Sequence, residues 1–374
     1  MKEFIAGRHV QQAYYKCFIP NKINQEWSIG DPSVSDLLSK ADQAIGRLDA
    51  FSDFIPNIDL FISMHVAKEA MQSTRIEGTQ TNMEDVLQDR NSLPKEKRDD
   101  WDEVQNYIKA LDFAAKEMDK FPFSSRLVRN IHKELIKGVR GEHKLPGEFR
   151  TSQNWIGGAT INDAKFIPPV HTEIAELMGD LEMFANNAAI HVPDLVRIAI
   201  IHYQFETIHP FLDGNGRVGR ILIPVYLEHK GILKKPALYL SDFFEKNREL
   251  YYNNLMRVRT DNDLIQWIKF FLVGVIEVSN SSIETFKKIT KLKDEVDAKL
   301  LTLKGKALDA GRVVERLYQH PFINADEVTE IMGKSQASGY NLINDLVGLK
   351  ILKELNPGRR KRQYYFYDYF RLFL

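Results

Sequence analysis

Apolar residues recur three and four positions apart through most of this chain, and that repeat commits it to a mainly helical fold. Between Val34 and Leu48 it is carried by Leu37, Leu38, Ala41, Ile45 and Leu48. A second helix is expected from about Ile58 to Glu77, stopped by Gly78. Others are expected at 101–119, 125–138, 172–186, 194–207, 217–230, 245–257 and 263–279. The stretch NSLPKEKRDD, dense in charge and holding Pro94, reads as an exposed connection.

One segment breaks the helical repeat. FRTSQNWIGGATINDAKFIPP combines strand formers, a Gly-Gly turn and closing prolines, so a β-hairpin is expected over 149–169. From Ser281 to Lys304 a charged segment keeps apolar positions at Ile283, Phe286, Ile289, Leu292, Val296 and Leu300, and reads as a linking helix. Three short helices follow (Ala307 to Tyr318, Ala325 to Met332, Ser335 to Leu349), then two β-runs around a Pro-Gly turn. That is the order of a small winged helix-turn-helix. The expected units are therefore an N-terminal helical region (1–95), a core (96–280), a linking helix (281–305) and a C-terminal winged helix (306–374).

Lys+Arg and Asp+Glu balance at 51 each, so net charge selects no nucleic-acid or membrane partner. The lone Cys17 excludes an internal disulfide and any CxxC zinc pair, which fits a reducing, cytoplasmic setting. MKEFIAGRHVQQAYY lacks the apolar core of an export signal. The apolar run Phe270 to Ile276, preceded by Lys269, is too short to span a bilayer, so no membrane partner is expected.

The chemistry concentrates in HPFLDGNGRVGR, residues His209 to Arg220. Gly214 and Gly216 let successive backbone N–H groups converge on an anion. The apolar run from Ile221 to Leu227 starts directly after them, so the turn sits at a helix N-terminus, where unpaired amides favour phosphate. Arg217 and Arg220 lie three apart in that helix's first turns, a placement opposed by the helix dipole unless an anion joins them. Asp213 offers the hard oxygen that a phosphate-bound Mg²⁺ requires, and His209 can act as a base near neutral pH. DGNG alone would read as a surface turn and His209 alone as a structural histidine. The twelve residues together do not.

This string resembles the Fic family motif HxFx(D/E)GNGRxxR at every fixed position, and HYQFETIHPFLDGNGRVGRILI and PGEFRTSQNWIGGA resemble the family beyond it. The resemblance implies a Fic-type helical core with a β-hairpin flap. It also implies a protein adenylyltransferase that moves AMP from ATP to a Tyr, Thr or Ser hydroxyl of a target or of itself and releases pyrophosphate. His209 would be the general base and Asp213 the Mg²⁺ ligand. Gly214, Asn215 and Gly216, with Val218 and Gly219, would cradle the phosphates, Asn215 helping to stabilise transition-state charge. Arg217 and Arg220 would bind the β- and γ-phosphates, and Tyr251 would lie near the adenine. The 149–169 flap would dock an extended stretch of the target protein.

Ser73-Thr-Arg-Ile-Glu77-Gly78 resembles the family's inhibitory motif (S/T)xxxE(G/N). Ser73 and Glu77 share a helix face, and Glu77 sits at a helix C-terminus, where a negative charge calls for a cation. The resemblance names that cation as Arg220, which would hold activity low because one arginine cannot serve both anions.

In the C-terminal unit, Lys334 and the cluster Arg359, Arg360, Lys361 and Arg362 could meet DNA phosphates. Against that, SQASGYNLINDLVGLK carries no arginine, so protein docking or a homodimer is an equal expectation. Gly333-Lys334-Ser335 is not a P-loop, since Val328 takes the place of the upstream glycine, and there is no HExxH. Competing expectations are a Fic-fold enzyme with another donor or one that removes AMP, and a nucleotide-sensing transcription regulator.

Overall fold

The structure, a computed structural model, describes residues 4–53, 58–139, 143–355 and 362–374. It opens on an antiparallel hairpin that apolar periodicity did not announce, β1 (Gly7–Gln11) and β2 (Lys16–Pro20), registered from Gly7↔Pro20 to Gln11↔Lys16. Helices follow as α1 (Pro32–Asp53), α2 (Ile58–Ile76), α3 (Met83–Val86), α4 (Lys95–Met118) and α5 (Ser125–Ile136). After a long irregular stretch come α6 (Ile174–Asn186), α7 (Asp194–Ile208), α8 (Asn215–His229), α9 (Ser241–Lys246), α10 (Arg248–Asp261) and α11 (Leu264–Leu301). The C-terminal unit runs α12 (Ala307–Gln319), β3 (Phe322–Asn324), α13 (Ala325–Met332), α14 (Gln336–Gly348), β4 (Lys353–Glu354), β5 (Gln363–Tyr365) and α15 (Tyr367–Phe370), with its sheet ordered β3-β5-β4.

Helix α7 is buried from Leu195 through Ile208, polar side chains included, and α6, α8 and α11 pack on it. Helix α8 lies against it, and the turn between them carries His209 to Gly214. Helix α2 spans two environments. Near its start, the Phe61 ring meets Tyr318 and Tyr369 of the C-terminal unit at 5.1 and 6.3 Å. In its middle, buried Glu69 accepts from Tyr107 Oη at 2.9 Å and from the Ser241 hydroxyl and N–H, fixing α2 against α4 and α9.

Three expectations change. Residues from Lys95 onward in the charged connection belong to α4, which starts directly after Pro94, a residue suited to a helix entrance because its missing N–H costs nothing there. The expected linking helix is the second half of α11, continuous from Leu264, because no breaker interrupts the apolar repeat at 280. Over 149–169 the expected hairpin reduces to one antiparallel bridge, Ile156 to Phe166. Asp163 accepts from Ala159 N and Thr160 N at 2.8 and 2.7 Å and turns the chain into a short 3₁₀ segment, ending the ladder. The outgoing limb pairs instead with the N-terminal hairpin, through Phe18 N to Ile167 O at 2.9 Å. By length and composition alone helix α11 is long and apolar enough to cross a bilayer, and half of its most apolar window is buried inside the protein. Of the expected basic cluster, Arg359, Arg360 and Lys361 lie outside the described residues, and Arg362 stands 3.6 Å from Glu354.

Candidate active site

The α7–α8 turn is built by its own side chains. Asn215 places Oδ1 2.8 Å from Phe211 N and donates Nδ2 to Phe211 O at 2.9 Å, closing the loop on itself. Both halves of its amide are thereby committed to the main chain, so this side chain shapes the loop. The Phe211 ring stacks on His132 of α5 at 3.7 Å and 7°. His132 accepts from Gly147 N on Nδ1 (2.9 Å), so its proton sits on Nε2 and is donated to Asp213 O at 3.0 Å. Burial pushes its pKa down to about 4, which keeps that tautomer neutral. Nothing in the sequence around His132 announced this role.

At Gly214 the backbone is left-handed (φ 77°), the conformation glycine adopts most cheaply, and α8 begins there without a side-chain cap. The helix's first N–H groups are therefore available to an external anion. The anion beside them is the Glu77 carboxylate, since a Cβ at Gly216 would collide with Glu77 Oε1. Arg220 completes the arrangement. It donates Nε to the Ser73 hydroxyl at 2.8 Å, and Nη2 to Ser73 O at 2.9 Å and to Glu77 Oε1 at 2.6 Å. The arginine side chain is 1% exposed and the glutamate 35%. Loss of hydration raises the Glu77 carboxyl, but the charge and hydrogen bond of Arg220, helped by Arg217 and His209, outweigh it and hold it below the usual carboxylate range. The same partner holds the Arg220 guanidinium firmly ionised against the opposing effect of burial.

Arg217 points to the other side of the turn. It donates to Glu103 Oε2 of α4 at 3.1 Å and to Asp213 Oδ1 at 3.2 Å. Asp213 Oδ1 also accepts from Gly214 N, and its side chain remains 44% exposed. Val218 is buried in the core beneath the turn. A Cβ at Gly219 would lie 2.6 Å from Glu206 Oε1, so this glycine makes room for a buried carboxyl. Glu206 Oε1 has no partner among the described residues, and burial pushes its pKa up to about 7. Tyr251, expected beside a base, is buried and donates Oη to His202 Nε2 at 2.8 Å, while His202 Nδ1 donates to Gly219 O. Its neighbour Tyr252 is the exposed ring of the pair.

His209 closes α7 in the left-handed region (φ 50°, ψ 60°), its N–H held by Phe205 O at 2.9 Å. Burial, then Arg259 and Arg150, push its pKa down to about 4, so the ring is a neutral base at neutral pH. Nδ1 is without a partner among the described residues. One turn of chain therefore brings together a neutral imidazole, a half-exposed carboxylate and an amide-lined helix terminus with a guanidinium. That set can hold the phosphate tail of a nucleotide and take a proton beside it.

Comparison with known proteins gives the same outline. Residues 35–116 match the family model described as Fic/DOC family N-terminal, and residues 122–227 the Fic/DOC family model, together half of the chain. A protein adenylyltransferase Fic from Drosophila erecta is 24% identical over 277 residues, covering 69% of this chain and 52% of that protein. One from Aedes aegypti is 26% identical over 271 residues, covering 69% and 51%. The chain thus spans about half the length of the curated relatives it matches. Among solved structures, a Fic family protein from Desulfovibrio desulfuricans G20 aligns over 91% of this chain and 98% of its own (TM-score 0.58, 20% identity). Fic-1 of C. elegans (residues 134–508) aligns over 70% and 75% (TM-score 0.54, 21% identity). These likenesses establish the fold.

Proposed function

The chain belongs to the Fic/DOC family, and from that premise we propose that it is a protein adenylyltransferase held back by its own Glu77. AMP passes from ATP to a hydroxyl of a protein, the target's or its own. The hydroxyl oxygen bonds to the α-phosphorus, the bond to the β-phosphate oxygen breaks, pyrophosphate leaves and His209 takes the hydroxyl proton. The observation that carries this reading is the Glu77 carboxylate lying over the α8 terminus in the grip of Arg220. It is an anion where the phosphate tail of a nucleotide would lie.

Gly214 to Gly216 and Arg220 would bind that tail once Glu77 withdraws. Asp213 is the candidate holder of Mg²⁺. Among the described residues no cluster of three or more metal-binding side chains exists, so one exposed carboxylate with the nucleotide's own oxygens is the donor set that fits. The ion would supply charge neutralisation on the phosphates. Arg217, tied to Glu103 and Asp213, would orient that carboxylate as well as meet a phosphate. The 149–169 stretch, where Trp155 is 40% exposed, supports docking of an extended target segment. The C-terminal helix–strand–helix–helix–strand–strand order supports a winged helix whose partner, DNA or protein, docks on α14.

The test is mass spectrometry of the purified full chain after incubation with ATP and Mg²⁺, with UTP and GTP in parallel. Glu77→Gly should gain AMP on a hydroxyl residue, and His209→Ala in the same background should lose about 10²–10⁴-fold in rate. No added AMP in the Glu77→Gly protein, or an unchanged rate without His209, removes the reading. Preferential gain of UMP or GMP would replace the donor and keep the site.

A further inference from the structure

The carbonyl groups of Ile208, His209, Pro210 and Phe211 all accept hydrogen bonds from two residues of the 149–169 stretch. Arg150 donates Nη2 to Ile208 O (3.5 Å), Nε to His209 O (3.0 Å) and its backbone N–H to Pro210 O (2.9 Å). Asn154 donates Nδ2 to His209 O (3.4 Å) and Phe211 O (2.9 Å). Arg150 Nη1 donates to Ser152 O at 3.0 Å and Nη2 also to Pro169 O at 2.5 Å, near the two ends of the same stretch. Arg150 is 2% exposed. Asn154 shares the Phe211 carbonyl with Asn215 of α8, and among the described residues neither Arg150 nor Asn154 hydrogen-bonds Gly214, Gly216 or Arg220.

These contacts bear on the one residue of the turn whose backbone is strained. A histidine in the left-handed region persists only where its surroundings over-determine it. Its carbonyl is the group that Arg150 and Asn154 hold. The direction in which the imidazole leaves the main chain follows from that peptide's orientation.

We propose that Arg150 and Asn154 are positioning residues for His209, so that the stretch on which a target would lie also aims the base. The inference rests on the reading of His209 as general base. Seating a target segment on 149–169 would then tighten the same carbonyl contacts that orient the imidazole, linking occupancy of the stretch to proton removal.

The experiment uses the full chain carrying Glu77→Gly and follows self-modification with α-labelled ATP as the ATP concentration is varied. Asn154→Ala should lower kcat about tenfold and leave KM for ATP within twofold. Arg150→Lys, which keeps the charge and loses the fork, should lower kcat on the order of 10²-fold, the penalty of a misplacement of about 1 Å. Thermal melting and direct ATP titration accompany both variants, and Asn154→Ala carries the test if Arg150→Lys fails to fold. Parental kcat in Asn154→Ala, or losses that follow KM and ATP affinity in place of kcat, overturns the proposal while the base assignment stands. Transfer at the parental rate in His209→Ala removes the base assignment, and this proposal with it.

Discussion

Helices α8 and α13 begin in opposite ways. At α13, Asn324 accepts from the N–H groups of Asp326 and Glu327, the Glu327 carboxylate in turn accepts from Asn324 N at 2.8 Å, and both first-turn acids suit the helix dipole. That terminus is capped by residues within four positions of one another. At α8 the cap is a glycine without a side chain, the first turns hold Arg217 and Arg220, and the compensating carboxylate is Glu77, 143 residues before Arg220. One terminus is complete by itself. The other is completed by a group from a distant helix, and such unmet local needs are what a binding site requires.

The contrast can be broken most directly at Arg220. In a Glu77→Gly background, Arg220→Ala should weaken ATP binding on the order of 10²-fold, the loss of charge-assisted contacts to phosphate. Unchanged affinity by calorimetric titration would mean that α8 begins no differently from α13. Gly216→Ala should act on both anions, since its Cβ would occupy the position of Glu77 Oε1. The Glu77–Arg220 pair should be displaced, and ATP affinity should also fall about tenfold. A crystal structure showing the pair intact in that variant would contradict the assigned location of the carboxylate.

The buried acid beneath the same turn gives a third, pH-dependent comparison. Glu206 has its pKa raised to about 7 from 4.5, so between those values the folded chain holds a proton that the unfolded chain has lost. Stability should therefore fall as pH rises through this window, by at most about 1.4 kcal/mol per pH unit. Glu206→Gln should flatten the slope in chemical denaturation, and an unaltered slope would assign it elsewhere. The smallest effect belongs to α13. Asn324→Ala should cost about 1 kcal/mol in stability and leave ATP affinity unchanged.

Much of this was legible along the chain. The apolar repeat located α1, α2, α5 to α8 and α12 to α14 to within a few residues, because each repeat is satisfied by the helix that carries it; α15 falls in what was expected to be a β-run. His209, Asp213, Gly214 and Arg220 stood out because glycines and arginines at a helix entrance contradict the local rules. Less was legible where several short pieces cooperate. The 149–169 stretch has strand composition yet makes one bridge, since an aspartate-closed turn intervenes and its outer limb pairs with β2. His132 carried no local mark at all, and Arg150 only its place within PGEFRTSQNWIGGA.

Sequence by itself therefore determined most of the helices, the glycine turn and the residue types gathered at it, all of which follow from spacing within one or two helical turns. Tertiary structure decided which charges meet. Arg217 turned away to Glu103 and Asp213, Arg220 was joined to Ser73 and Glu77, and Arg150 was set beneath the carbonyl of His209. The physical reason is that a buried charge must find its partner among the groups that packing brings near. That neighbourhood is a property of the assembled helices, which no single stretch of the chain contains.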